Sequence, residues 1–198
     1  MQVVLASGSP RRLELLRQIG IKPLVMISNF TEIEEELAPE VLVSANALGK
    51  GRSVLRQCSQ EVVVIAADTV VVLDGKILGK PKNSEEAIEM LHRLSGKEHW
   101  VLTGTGLFYQ GKHGVKVSRT KVHFRNLTDR EIKAYVATGE PLDKAGAYGI
   151  QGLGAMFITK IEGSYSNVVG LDLADVYSLF AELDVVKNDE LFFQEFAN

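Results

Sequence analysis

Val62-Val63-Val64-Ile65-Ala66-Ala67-Asp68-Thr69-Val70-Val71-Val72-Leu73 is the most strand-like stretch of the chain, and it decides the fold class. β-branched residues fit a pleated, half-buried surface, so two strand runs are expected, Val62–Ile65 and Val70–Leu73. Ala66-Ala67-Asp68-Thr69 interrupts them, which places Asp68 and Thr69 at a strand end or a bend. A carboxylate in such apolar surroundings is costly to bury unless it is paired, hydrogen-bonded or bound to metal. Asp68 is therefore a candidate functional position, with a turn-capping Asp as the bland alternative. Asp74-Gly75, immediately downstream, is a hairpin turn signal.

Toward the N-terminus, residues 2–6 suit a buried strand. Ser9 is placed to cap a helix with Pro10 at its first position; Leu13, Leu15, Leu16 and Ile19 mix a helical stripe with one extra apolar residue, and Gly20 stops it. Residues 22–28 read as a second strand, 29–37 as an acidic loop, and Pro39 to about Gln57 as a helix weakened by Gly49 and Gly51. Toward the C-terminus, Ser84 is expected to cap a helix to Leu94, with Gly96 as its stop. Residues 98–109 and 115–125 alternate like a long β-hairpin around Gly111–Gly114. Thr128 caps a helix to Thr138, with Glu131 at the capping-box position. A glycine-rich stretch over 139–154, a strand over 155–161 and a helix over 171–183 follow. Strand–helix units and hairpins together predict an α/β fold with a mixed sheet, flanking helices and a long β-hairpin. One domain over 1–184, in one lobe or two around a cleft, and a charged then aromatic tail over 185–198 complete the expected organisation.

The bulk properties bound the function. The 198 residues are 45% hydrophobic and 24% charged, ordinary values for a soluble globular protein. A net charge of −3 argues against a dedicated nucleic-acid binder, yet a local cationic pocket for a small anion fits inside such a protein. The single cysteine, Cys58, rules out a disulfide framework within the chain and a cysteine-rich metal site, and suits a reducing compartment. No run approaches the ~20 apolar residues of a membrane span. Val3–Ala6 is too short for a signal peptide and has no basic leader, so a cytoplasmic protein without a membrane partner is expected. His92, His99, His113 and His123 have no ligand-like spacing, and neither an H-E-x-x-H nor a Ser/His/Asp signature occurs.

Several segments carry chemistry-bearing residues. Ser7-Gly8-Ser9-Pro10-Arg11-Arg12 puts two arginines in the first turn of a helix. Cations there oppose the helix dipole by roughly 0.3–1 kcal/mol each, and an anion docked on the N-terminus would reverse that penalty. The G-x-x-x-x-G-K-[ST] spacing of a P-loop is absent. Lys50, between Gly49 and Gly51, and Lys80, in Leu78-Gly79-Lys80-Pro81, are ambiguous between ligand contact and solvated surface; the flanking glycines permit close backbone approach to a ligand. Glu34, Glu35 and Glu36 are a solvated acidic loop by default, with one of them as a metal ligand by alternative. In Asp143-Lys144-Ala145-Gly146-Ala147-Tyr148-Gly149-Ile150-Gln151-Gly152, small residues let a loop pass close to a flat ligand, and Gln151 offers both a donor and an acceptor.

Taken together, SGSPRR, the I-E-E loop, AADT after a β run, LGKP, LSGKEHWVLTG and EPLDKAGAYGIQG, in that order, resemble the Maf family of nucleoside triphosphate pyrophosphatases over roughly residues 3 to 183. The resemblance implies an α/β fold similar to that of inosine triphosphate pyrophosphatases, often a homodimer. It also implies hydrolysis of a nucleoside triphosphate to the monophosphate and pyrophosphate with Mg²⁺ or Mn²⁺. On matching positions, Asp68 takes the proton-acceptor role, Glu35 joins it in catalysis and metal binding, and Lys50, Lys80, Ser9 and Arg12 take the phosphates. Arg11, Thr69 and Gln151 fall on three specificity positions in the state of the dTTP/UTP branch, and modified pyrimidine nucleotides fit the same implication. An ordinary aspartate titrates near ~3.9 and is a weak base at pH 7, so a metal-ligand role for Asp68 stands beside the base role.

Two other classes compete. A haloacid-dehalogenase-type phosphatase needs a second Asp two residues after the first, where this chain has Val70. A nucleotide-binding regulator of cell division would not require catalysis at all.

Overall fold

A computed structural model describes residues 1–33, 37–58 and 62–186. Glu34, Glu35, Glu36 and the tail from residue 187 lie outside the described residues. In chain order the elements begin with β1 (Gln2–Leu5), α1 (Pro10–Gln18), β2 (Leu24–Val25), α2 (Pro39–Leu55), β3 (Val62–Leu73) and β4 (Lys76–Leu78). Then come α3 (Ser84–Leu94), β5 (Glu98–Tyr109), β6 (Lys112–Phe124), α4 (Asp129–Ala137), β7 (Ile158–Glu162), α5 (Tyr165–Val169) and α6 (Leu173–Glu182). Three 3-10 turns, Glu140–Asp143, Ala145–Ala147 and Leu153–Phe157, occupy the glycine-rich stretch. The described strands are hydrogen-bonded in the order β2-β1-β3-β5-β6-β7, with β4 paired to β3 off this path. β1 is parallel to both β2 and β3, whereas β3–β4 and β6–β7 are antiparallel, so the seven-stranded sheet is mixed, with flanking helices.

The chain divides into two compact units. Unit 1 comprises Met1–Asp68, Thr103–Ser118 and the chain from Gly170 onward; unit 2 comprises Thr69–Leu102 and Arg119–Val169. In unit 1, Val4, Ala6, Val54, Val62, Val64, Ala66 and Phe108 form a buried cluster with Met26, Leu48, Leu55 and Cys58 packed against it. Fully burying one such Val or Leu side chain contributes about 1.5–3 kcal/mol. In unit 2, the helices α3 and α4 supply Ala87, Met90, Leu91, Leu94, Ile132, Tyr135 and Val136 to a core shared with Val71, Val122, Phe124 and Phe157.

The structure corrects several local expectations. β3 runs uninterrupted from Val62 to Leu73, so Asp68 and Thr69 sit inside a strand and not at its end or a bend. The alanines keep the extended backbone, and partners on α2 satisfy the Asp68 carboxylate, which removes the reason for a break. β2 shrinks to two residues, Leu24 and Val25, paired with Val4 and Leu5. Pro23 has no N–H to give the ladder. The α3 cap is Asn83, whose Oδ1 accepts from the Glu86 N–H at 2.8 Å, while Ser84 is already helical. Around the long hairpin the turn is Gln110–Gly111, with φ of 46° and 78°. That is the signature of a two-residue primed turn, and β6 starts before Gly114. The Thr128 capping box stands as expected. The short helix α5 was not foreseen.

Gly49 and Gly51 serve packing. A Cβ on Gly49 would run into the Phe30 ring, and one on Gly51 into the Phe108 ring. Across from them, a Cβ on Gly104 of β5 would strike the Val43 carbonyl of α2. These missing side chains let α2 lie directly on the sheet of unit 1, which fixes what its polar residues can reach. Gly51→Ala tests this. Helix propensity alone would stabilise by about 1 kcal/mol. Phe108 is only 2% exposed and must be displaced, so a net destabilisation of about 1–3 kcal/mol is expected in urea unfolding. A more stable Gly51→Ala protein would contradict this packing.

Candidate active site

Successive strand residues point to opposite faces, so Asp68 continues the face of β3 that Val62, Val64 and Ala66 direct into the unit 1 core. At that level α2 offers polar groups in place of apolar ones. Asn46 and Lys50, one helical turn apart, share a face of α2. The Lys50 Nζ donates to Asp68 Oδ1 at 2.5 Å and pairs with Glu32 Oε1 at 2.7 Å. The Asn46 Nδ2 donates to Asp68 Oδ2 at 3.1 Å. Asn46 Oδ1 accepts from the Ile33 backbone N–H at 2.8 Å. Asp68 is 6% exposed and Asn46 2%, so the carboxylate is buried, with each oxygen accepting one of these side-chain bonds.

The N-terminal segment supplies the next cation. After β1, Ala6 bonds to the Ile65 carbonyl at 2.7 Å, which sets the Ser7–Ser9 turn beside β3. Ser9 stands at the N-cap of α1 but makes no side-chain cap bond. The ordering hydroxyl is that of Ser7, which accepts from the Ser9 N–H at 3.2 Å and from Arg12 Nη1 at 3.0 Å. Arg12 Nε donates to the Gly170 carbonyl at 2.7 Å, so the guanidinium is held from two sides. Burial depresses the Arg12 pKa from its ordinary value; Asp68 pulls it back up, Arg11 adds to the depression, and Glu32 opposes it. The guanidinium remains charged, as arginine does in proteins. No acidic residue lies in the first turn of α1, so Arg11, Arg12 and the helix dipole all favour an anion there.

Among the expected site residues, the structure thus gathers Arg11, Arg12, Lys50 and Asp68 in unit 1, with Ser9 at the head of α1. Glu35 lies outside the described residues, and Glu32 is the acidic-loop residue seen on Lys50. Thr69, Lys80 and Gln151 belong to unit 2. Thr69 is half-buried in β3, Lys80 is exposed just after β4, and Gln151 is half-buried between the second and third 3-10 turns. The Gly79 carbonyl accepts from the Gly146 N–H at 3.0 Å, which ties the Lys80 segment to the loop leading to Gln151. Sequence reasoning missed Asn46 and Glu32. The available signal was an asparagine inside an apolar helical stretch, where its propensity is poor unless it has a partner.

A metal fits the donor set in a limited way. Among the described residues no group of three His, Cys, Asp or Glu side chains is placed to hold an ion. Asp68 and Glu32 do converge on one point, the Lys50 ammonium, and Mg²⁺ commonly takes only one or two protein carboxylates, with phosphate oxygens and water as its other ligands. No helix among the described residues is long and apolar enough to cross a membrane.

Comparison with known proteins gives the family of the chain. The family described as Maf-like protein matches residues 2–183. A dTTP/UTP pyrophosphatase of Desulfotalea psychrophila is 49% identical over 177 residues, covering 88% of this chain and 90% of the relative. One of Dictyoglomus turgidum is 48% identical over 182 residues, covering 90% and 94%. Among solved structures, a HAM1 protein from Coxiella burnetii superposes with a TM-score of 0.49 at 13% identity, covering 90% of this chain and 91% of that one. The fold class rests on the sheet topology itself. A family match from residue 2 to 183, with relatives near half identity across almost their whole length, settles the ancestry: the chain belongs to the Maf-like proteins.

Proposed function

We propose that the chain hydrolyses dTTP and UTP, and modified pyrimidine nucleotides of the same shape, to the nucleoside monophosphate and pyrophosphate. The observation that carries this reading is the buried Asp68 carboxylate bonded to Lys50, with Arg12 fixed in the same unit at the head of α1. The names of the close relatives supply the substrate class. In the proposed reaction a water oxygen adds to phosphorus at the α–β bridge. The bond from that phosphorus to the bridging oxygen breaks, its electron pair leaves on the departing pyrophosphate, and a water proton passes to an Asp68 oxygen. Arg12, Lys50, Lys80 and Ser9 bind phosphate oxygens, spreading the ~4 negative charges of the triphosphate. Arg11, Thr69 and Gln151 select the base. A divalent ion, Mg²⁺ or Mn²⁺, held by Asp68 with Glu35 or Glu32, would supply further charge neutralisation. The same proposal takes the protein as cytoplasmic and as a homodimer, in line with its single cysteine and its family.

Product identification tests the activity. With Mg²⁺ or Mn²⁺, dTTP is expected to give dTMP and pyrophosphate in equal amounts by ion-exchange chromatography. Orthophosphate as the sole first product would remove the reading.

A further inference from the structure

In unit 2 the carboxylate of Glu140, which opens the first 3-10 turn, accepts three hydrogen bonds. Its Oε2 accepts from the Leu153 N–H at 3.0 Å, and its Oε1 from the Gly154 N–H at 3.1 Å and from the Tyr135 hydroxyl at 3.0 Å. The same hydroxyl accepts from the Gly149 N–H at 3.3 Å. The amides captured in this way stand on both sides of Gln151. Gly152 has φ of +85°, and a Cβ there would come within 2.9 Å of the Glu140 carboxylate, so the carboxylate fills the space of the missing side chain. Lys144 Nζ closes the arrangement, donating to the Glu140 carbonyl oxygen at 2.5 Å and pairing with Asp143 at 2.7 Å. Burial tends to raise the Glu140 pKa, but the Leu153 and Gly154 amides, the Tyr135 hydroxyl and the Lys144 charge turn the net shift downward. Burial and then Glu140 push the Tyr135 pKa up. The pair is therefore an ionised acceptor and a protonated donor at neutral pH.

We propose that Glu140, assisted by Tyr135, is a positioning residue for base selection: it locks the backbone on both sides of Gln151 and so fixes where that amide presents its donor and acceptor. The proposal rests on the pyrophosphatase reading above and on Gln151 facing the base. Uracil and thymine offer an acceptor and an N–H donor on the edge that a carboxamide complements, and cytosine offers the reverse order. An amide whose backbone wanders loses that distinction, and it loses it equally in the ground and transition states.

The experiment compares wild type, Glu140→Gln and Tyr135→Phe in steady-state pyrophosphate release from dTTP, dCTP and dGTP. Losing an interaction common to both states raises KM and leaves kcat alone, so Glu140→Gln is expected to raise KM for dTTP about tenfold with kcat nearly unchanged. The ratio of kcat/KM for dTTP over dCTP should fall by about tenfold or more, because a site built to hydrogen-bond its substrate discriminates through that bond. Tyr135→Phe should move both quantities the same way by less. Unchanged selectivity, with kcat/KM for all three nucleotides lowered by one factor, overturns the proposal and leaves a purely structural role. If Glu140→Gln does not fold, Tyr135→Phe decides: wild-type selectivity in that variant overturns the proposal as well. A wild-type protein that releases no pyrophosphate from any nucleotide sinks the underlying activity, an outcome distinct from unchanged selectivity in an active enzyme.

Discussion

Asp68→Asn is expected to lower kcat for dTTP hydrolysis by roughly 10²–10⁴-fold, the range lost when a positioned proton acceptor is removed. The substitution keeps the volume and the buried position. Lys50 retains its 2.7 Å pairing with Glu32. Asn46 and Lys50 both donate to Asp68, however, and an amide has only one acceptor oxygen to offer them. One contact therefore becomes donor against donor, at a cost of about 1–3 kcal/mol in stability. The variant should thus remain folded and still bind dTTP by calorimetry while turning over very slowly. Activity within about tenfold of wild type would remove Asp68 from the chemistry. The same loss follows whether Asp68 takes the proton or holds a metal ion. Titrating Mn²⁺ separates the two, since only a ligand role predicts a shifted metal dependence.

The second large effect concerns stability. Lys50→Met keeps the aliphatic stem and removes the charge, so the buried Asp68 carboxylate loses its bonded ammonium while the neutral Asn46 amide still donates to it. Stranding a buried charge in this way costs about 3–5 kcal/mol. The Glu32 arm adds little, because Glu32 is half exposed and its pairing is screened. For a domain of this size a loss of that order lowers Tm by roughly 10 °C. The double variant Lys50→Met/Asp68→Asn should regain most of the lost stability, since neither charge is then stranded, while staying inactive. Additive losses in the double variant would show that the two residues do not act as a pair.

Local patterns in the sequence located most of the elements, because turn and cap chemistry is written in neighbouring residues. The Thr128–Glu131 box and the Asp74-Gly75 turn are cases in which a few adjacent side chains decide the backbone. Reading failed where the deciding partner is distant. Asp68 was expected to end a strand because nothing nearby could satisfy it; its partners lie on α2, 18 and 22 positions away. Gly49 and Gly51 were open to a ligand-binding reading because the rings they admit, Phe30 and Phe108, are set by tertiary packing. The candidate site was legible chiefly through its charged residues. Of the neutral parts that hold them, Asn46 shows only as a poor helix former in an apolar stretch, and the Gly170 carbonyl carries no mark in the sequence; neither does the Glu140 acceptor that brackets Gln151.

Asn46 and Lys50 reach one carboxylate only because they stand four positions apart on the helix, slightly more than one revolution. Each residue advances the helical phase by about 100°, so inserting or deleting a single amino acid between them would turn one of the two away from Asp68. The stretch Asn46–Lys50 is for this reason tolerant in identity at Ala47 to Gly49 only as far as size allows, and intolerant in length. In the descent of this chain, substitutions can accumulate along α2, but indels between these two positions cannot.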